Sequence, residues 1–94
     1  MSDTELLAGA KRHLGIVTSA FDTLLAQKIT GAKAYLAGAG VTEAVMASST
    51  GDEAIIRGAI DLWSPDGMGF SPLFIALVTQ LQAQSLPETE GGNG

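Results

Sequence analysis

Few residues of this chain have side chains that can do chemistry. The 94-residue sequence has no Cys and one His, His13, which excludes a metal site built from His and Cys side chains. The sequence places no Ser or Asp beside His13, so we interpret it as a surface or helix-end residue rather than a general base. No loop spaces its acidic residues like an EF-hand, and the Asp52-Glu53 pair is typical of the start of a helix.

Two glycine-containing segments have the composition of ligand-binding loops but not their pattern. Gly38-Ala39-Gly40 lacks the Lys-Ser/Thr of a P-loop and a preceding strand, so we interpret it as a helix stop. Gly67-Met68-Gly69 is an equally weak candidate for a ligand-binding loop. The sequence therefore predicts that the chain is not an enzyme and holds no cofactor or metal.

The composition favours a protein partner over nucleic acid or a membrane. Net charge is −5, and the five Lys and Arg residues form no dense basic cluster of the kind that binds phosphates. Charged residues make up 16%, against about 25% in typical soluble domains. Either another chain covers part of the surface, or this is a small, weakly charged soluble protein. No signal peptide is recognised, and no apolar run approaches the roughly 20 residues of a membrane span.

The apolar spacing predicts one all-α domain, a small bundle of about four helices over residues 1–85. Ser2 or Asp3 should cap the first helix. Thr18 or Ser19 should cap the second, which should end near Ala37.

The second half of the chain should contain two further helices. Residues 41–51 are predicted to form a loop, within which Val41 to Met46 could be a short strand or turn. The third helix should open at Asp52, and the fourth at Ser71-Pro72, with Ser as cap and Pro in the first turn. The polar, acidic and Gly-rich residues 86–94 should form a flexible tail.

The third helix is apolar on two sides. One stripe consists of Ile56, Ile60 and Trp63, and the other of Ile55, Ala59 and Leu62. A helix at the surface of a domain needs only one such stripe. The third helix is therefore either central, or packed on its own core with one face and on a partner with the other.

The segment between the last two helices concentrates the large apolar side chains. Trp63 ends one helix and Phe74 begins the next, so both should anchor the intervening turn on the core. Met68 and Phe70 belong to neither helix stripe, and we predict that they contact another chain. Alternatively, Trp63, Met68 and Phe70 form the binding site of a helical enzyme subunit or small-molecule binder.

Two segments carry an ordered set of short motifs. The first runs through K–x–H–L, GI, D–x–L–L, A–K and AG before Val, at Lys11, His13, Leu14, Gly15, Ile16, Asp22, Leu24, Leu25, Ala32, Lys33, Ala39, Gly40 and Val41. The second, residues 54–82, is a helix that ends in an aromatic residue, a Gly-containing loop and a last helix. The order and spacing resemble the head–tail connector (adaptor) proteins of long-tailed bacteriophages. The sequence differs from the family in two respects: many members have Tyr at the position of Trp63, and their loop before the last helix is more polar than the one here.

This resemblance implies a structural virion protein at the head–tail junction, assembled in the host cytoplasm. Its subunits would form a ring of about twelve copies between the portal protein and a neck or tail-completion protein. DNA would pass through the channel without sequence-specific binding. The acidic net charge suits this role because a basic wall would hold phosphates.

The connector hypothesis also makes predictions about surfaces. The contacts with neighbouring subunits or portal are predicted at Ile55, Ala59, Leu62, Met68, Phe70 and Ile75. The tail, or part of it, should become ordered on docking.

The alternative function is a small helical regulator that binds DNA, with residues 64–69 as the turn between two helices. A recognition helix presents basic or amide side chains at its start. The fourth helix begins Ser71-Pro72-Leu73-Phe74-Ile75 instead, which favours the structural role.

Overall fold

The computed structural model describes residues 1–63 and 70–86. Its helices are α1 (Asp3–Leu14), α2 (Asp22–Gly38), α3 (Glu43–Met46), α4 (Ser49–Trp63) and α5 (Pro72–Gln84). These residues contain no strand. The predicted all-α fold is confirmed, with four long helices and the one-turn α3. In the part of the chain that the structure describes, no helix combines the length and the apolar character needed to cross a bilayer.

A reciprocal pair of hydrogen bonds fixes the start of α1. The Glu5 amide donates to Ser2 Oγ at 3.2 Å, and the Ser2 amide donates to Glu5 Oε1 at 2.8 Å. This capping box satisfies two amides that the helix leaves unpaired. Ser2, rather than Asp3, is therefore the cap, while Asp3 forms an ion pair with Lys33 on α2. Gly15, at φ 73°, ends α1 in the left-handed conformation that favours glycine.

The start of α2 differs from the prediction. The helix begins at Asp22, and its N-cap residue Phe21 makes no side-chain capping bond. Thr18 Oγ1 instead accepts a hydrogen bond from the Ala20 amide at 3.2 Å, so this hydroxyl stabilises the preceding turn. Lys11 Nζ lies 2.8 Å from Asp22 Oδ1, so an ion pair connects α1 to the first turn of α2.

The predicted loop over residues 41–51 is wrong, because two hydroxyls cap helices within it. Thr42 Oγ1 accepts from the Val45 amide at 3.3 Å and begins α3. Ser48 Oγ accepts from the Gly51 amide at 3.1 Å, so α4 begins one turn before Asp52.

The fourth predicted helix, α5, starts as expected. Ser71 Oγ accepts from the Phe74 amide at 3.2 Å, and Pro72 occupies the first turn. At the other end, Gln82 Nε2 donates to the Ala39 carbonyl at 2.9 Å. The predicted tail begins at Leu86, which is exposed, and residues 87–94 lie outside the described residues.

Helix α4 occupies the centre of the bundle. It packs against α1, α2, α3 and α5. Its buried residues belong to one core cluster with side chains from α1, α2 and α5, including Leu6, Leu25, Leu36, Phe74 and Leu81. In the described part of the chain α4 is therefore central, as one of the two predicted alternatives has it.

Glycine at position 58 allows α2 and α5 to approach α4 closely. A Cβ atom at Gly58 would lie 2.5 Å from Phe74 Cε1 and 3.0 Å from Ala32 Cβ. Phe74 is fully buried, so its ring has no room to retreat. The ring thus packs directly on the backbone of α4.

Replacing Gly58 by Ala should therefore destabilise the fold. The Gly58→Ala clash should cost about 1–3 kcal/mol, more than the gain of about 1 kcal/mol in helix propensity. Gly38→Ala is the matched control, since its Cβ would meet no atom within 4 Å. Urea unfolding should show a lower midpoint for Gly58→Ala and an unchanged or higher one for Gly38→Ala. Equal midpoints for the two variants would contradict the packing described.

Acid should weaken the capping box. Hydrogen bonds from the backbone and side chain of Ser2 lower the pKa of Glu5. A carboxylate whose pKa is lower in the folded than in the unfolded state stabilises the fold at pH values above its unfolded pKa, which is near 4.3. This stabilisation is lost as the pH falls through the pKa of the folded state. Glu5→Gln keeps an oxygen that can accept the Ser2 amide hydrogen bond, but its side chain has no carboxyl group to titrate.

Thermal unfolding should reveal this difference. The gap in Tm between the native chain and Glu5→Gln should be largest near neutral pH and shrink as pH falls below about 4.3. A gap that stays constant between neutral pH and pH of about 3 would show that Glu5 does not act through its charge.

Candidate interaction surface

Two of the predicted interface residues are not on the surface. Ile55 is 2% exposed and Ala59 is fully buried, both in the core cluster. A neighbouring subunit cannot contact either side chain without opening the bundle. We therefore correct this part of the predicted interface: the second stripe of α4 is covered mainly by the protomer's own helices.

The other predicted residues lie in different environments. Leu62 is half-buried, and its Cδ1 would lie 3.3 Å from a Cβ at Gly31 on α2. Ile75 is 43% exposed on α5 and remains available to a partner. Met68 lies outside the described residues.

Phe70 has aromatic partners within its own chain. Its ring stacks on Phe74 with centroids 4.2 Å apart and lies 4.6 Å from the ring of Tyr35. At the other end of the segment, Trp63 meets Phe21 edge to face at 5.8 Å. Contact with another chain is therefore not needed to explain Phe70. Trp63 and Phe74 anchor their two helix ends, as predicted.

Asp61 holds the start of α5, a role that sequence reasoning missed. Its Oδ2 accepts from the Ser71 amide at 2.9 Å and from Ser71 Oγ at 2.8 Å. Arg57, one turn earlier on α4, places Nε 3.6 Å from Asp61 Oδ1. The only sign of this role in the sequence is that Asp61 lies between the two apolar stripes of α4, one helical turn after Arg57.

Several large apolar side chains remain exposed at two places. Val17 is 97% exposed at the α1–α2 corner, beside the partly exposed Phe21 and Leu24. Leu73 and Ile75 are exposed in the first turns of α5. A groove of about 710 Å³ also opens between α1, α4 and α5, and Leu73 contributes to its lining.

The polar side chains of the described residues form no reactive constellation. No three His, Asp or Glu side chains in residues 1–63 and 70–86 converge as metal ligands. His13 is exposed at the end of α1. The Asp3 pKa is lowered by its hydrogen bond and charge interaction with Lys33, but this pair connects α1 to α2 on the surface.

Comparison of the chain with protein-family models, curated proteins and solved structures gives no match in any of the three.

Removing the Asp61 carboxylate should loosen the junction between α4 and α5. Asp61→Ala leaves the Ser71 amide without its partner, which should cost about 1–3 kcal/mol of unfolding free energy. Asp61→Asn should cost less because the amide oxygen can still accept one bond. Glu53→Ala is the control, because Glu53 is an exposed acid on the same helix.

Hydrogen exchange should locate the effect. Faster exchange of the Ser71 and Phe74 amides in Asp61→Ala, with unchanged exchange in Glu53→Ala, is the expected result. Unchanged protection of Ser71 in Asp61→Ala would show that the hydrogen bond does not hold this junction.

Proposed function

We propose that the chain is a structural subunit of a bacteriophage head–tail connector. Its copies form a ring between the portal and a neck or tail-completion protein, and DNA passes through the channel. The observation that carries this proposal is the ordered set of motifs from Lys11 to Val41 and over residues 54–82.

The fold supports the proposal because motif residues occupy the points that determine the path of the chain. Lys11 pairs with Asp22 across the α1–α2 turn, which Gly15 opens at φ 73°. Gly40, at φ 95°, turns the chain after α2, and Val41 then enters the core. Substituting these motif residues would change how successive helices connect.

The exposed apolar side chains suit a subunit that is covered on assembly. Leu73, 55% exposed, and Ile75, 43% exposed, lie on two different sides of the start of α5, and Leu73 lines the groove. A partner that covered either side chain would remove apolar area from water. Since Ile55 and Ala59 are buried, this part of α5 replaces the α4 stripe in the proposed interface.

No feature of residues 1–63 and 70–86 favours the DNA-binding alternative. The start of α5 exposes Leu73 and Ile75, where a recognition helix would present basic or amide side chains. Three of the five Lys and Arg residues, Lys11, Lys33 and Arg57, form ion pairs within the chain.

Static light scattering tests the proposal directly. The purified chain, alone or mixed with portal protein from the same phage, should form an assembly with the mass of a ring. A chain that stays monomeric at high concentration and does not associate with portal would contradict the connector function.

A charged residue at position 75 should weaken assembly without unfolding the subunit. Ile75→Asp places a carboxylate in an apolar contact, which should lower association at least about tenfold. Gln80→Asp is the control, since it adds the same charge at another exposed position of α5. Phe70→Asp is less informative, because it also removes the stacking on Phe74.

Light scattering and circular dichroism should be read together for these variants. Ile75→Asp should keep its helical content and lose assembly, whereas Gln80→Asp should retain both. Equal assembly of the two variants would exclude Ile75 from the interface.

A further inference from the structure

Charged side chains are distributed unevenly over the surface of the bundle. Every exposed residue of α2 and α5, both of which the structure describes in full, is uncharged. Asp22, Lys28 and Lys33 on α2 are half-buried, and the first and last of them form ion pairs with α1. Helix α5 contains no charged residue at all. The exposed charged side chains of the other long helices are Asp3, Glu5, Arg12 and Glu53.

The exposed sides of α2 and α5 join into one surface. The two helices contact each other, because Gln82 Nε2 donates to the Ala39 carbonyl at 2.9 Å and the Tyr35 ring lies 5.6 Å from the Phe74 ring. Gln82 and Tyr35 are themselves exposed, so the surface continues across this contact. Ile75 lies two turns before Gln82 on the same side of α5. We define the α2/α5 face by Thr30, Ala34 and Tyr35 on α2 and Ile75, Thr79 and Gln82 on α5.

The α2/α5 face has the chemistry of the centre of a protein interface. Charged residues make up about a quarter of a typical soluble domain and lie mostly at its surface. They are depleted at the centre of interfaces, where aromatic residues are enriched. Tyr35 is 42% exposed and Ile75 43%, and the Thr and Gln side chains of the face can form hydrogen bonds without charge. A partner that covered this face would remove apolar area from water without burying a charge.

The net charge of −5 indicates which partner this face suits. Two copies of the chain repel each other wherever exposed charges of the same sign meet. They can approach through the α2/α5 face, because the exposed charges in the described part of the chain lie on other helices. A basic partner would instead be attracted to acidic side chains such as Asp3 and Glu53.

We propose that the α2/α5 face binds a second copy of this chain. This contact adds the outer side of α2 to the part of α5 around Ile75, and it assigns that surface to contacts between copies rather than to portal. The inference does not rest on the connector function, since copies can associate through this face in any assembly.

A charge placed on the face tests the proposal. Ala34→Glu adds a carboxylate to the α2/α5 face, so association between copies should weaken at least about tenfold. Ala8→Glu is the matched control, since it makes the same substitution at an exposed position of α1. Sedimentation equilibrium of the full chain should show self-association of the native protein and of Ala8→Glu, and its loss in Ala34→Glu. Thr79→Glu, on the α5 side of the face, should act like Ala34→Glu, and circular dichroism should show the same helical content in every variant.

Salt should strengthen the contact. Screening of the net charge lowers the repulsion between copies, and the α2/α5 face has no charged side chain whose attraction salt could weaken. Association should therefore become tighter as the salt concentration rises from about 0.05 to about 0.5 M. NMR shifts that appear as the protein concentration rises should map to Thr30, Ala34 and Thr79 rather than to α1.

Several results would overturn the proposal. These are a native chain that stays monomeric at millimolar concentration, equal association of Ala34→Glu and Ala8→Glu, association that weakens as salt rises, and NMR shifts confined to α1. A chain that is monomeric alone but forms a ring with portal protein would contradict this inference and leave the connector function intact. A chain that associates through this face but neither binds portal nor occurs in phage particles would support the inference and contradict that function.

Discussion

The packing of the Phe74 ring on the backbone of Gly58 is the contact on which the arrangement of the helices depends. Any side chain at position 58 would hold α5 away from α4 and would also meet Ala32 on α2. Three helices therefore share one close junction, and Phe70 and Tyr35 extend it as an aromatic cluster. Asp61 also connects α4 to α5, because its carboxylate accepts hydrogen bonds from the amide and the hydroxyl of Ser71. Because α4 lies against every other helix, this junction also determines which surfaces remain open.

The proposed connector function requires surfaces that other proteins can contact, and the core limits where these can lie. The core uses the residues of α4 that face α2 and α5, including Ile55 and Ala59. What remains for partners is the outer face of α5, the α1–α2 corner and the groove above α4. In the described part of the chain, the α1–α2 corner and the start of α5 expose apolar side chains, whereas the groove is lined by both apolar and charged side chains.

Local interactions made much of the fold predictable from the sequence. The caps at Ser2 and Ser71 and the stop near Gly38 depend on residues a few positions apart, so the pattern indicates them directly. The start of α2 was less predictable because it involves a through-space pair between Lys11 and Asp22. The predicted interface included the buried residues Ile55 and Ala59, since helical periodicity shows that α4 has two apolar stripes but not which neighbour covers each. The Asp61–Ser71 bond was missed because its partners lie on different helices.

The connector function is tested most directly by electron microscopy of purified phage particles that contain this chain, labelled with an antibody against it. We expect the label at a single vertex, on a ring of copies between the portal and the tail. Absence of the chain from the purified particles, or label distributed over the whole capsid, would contradict the proposed function.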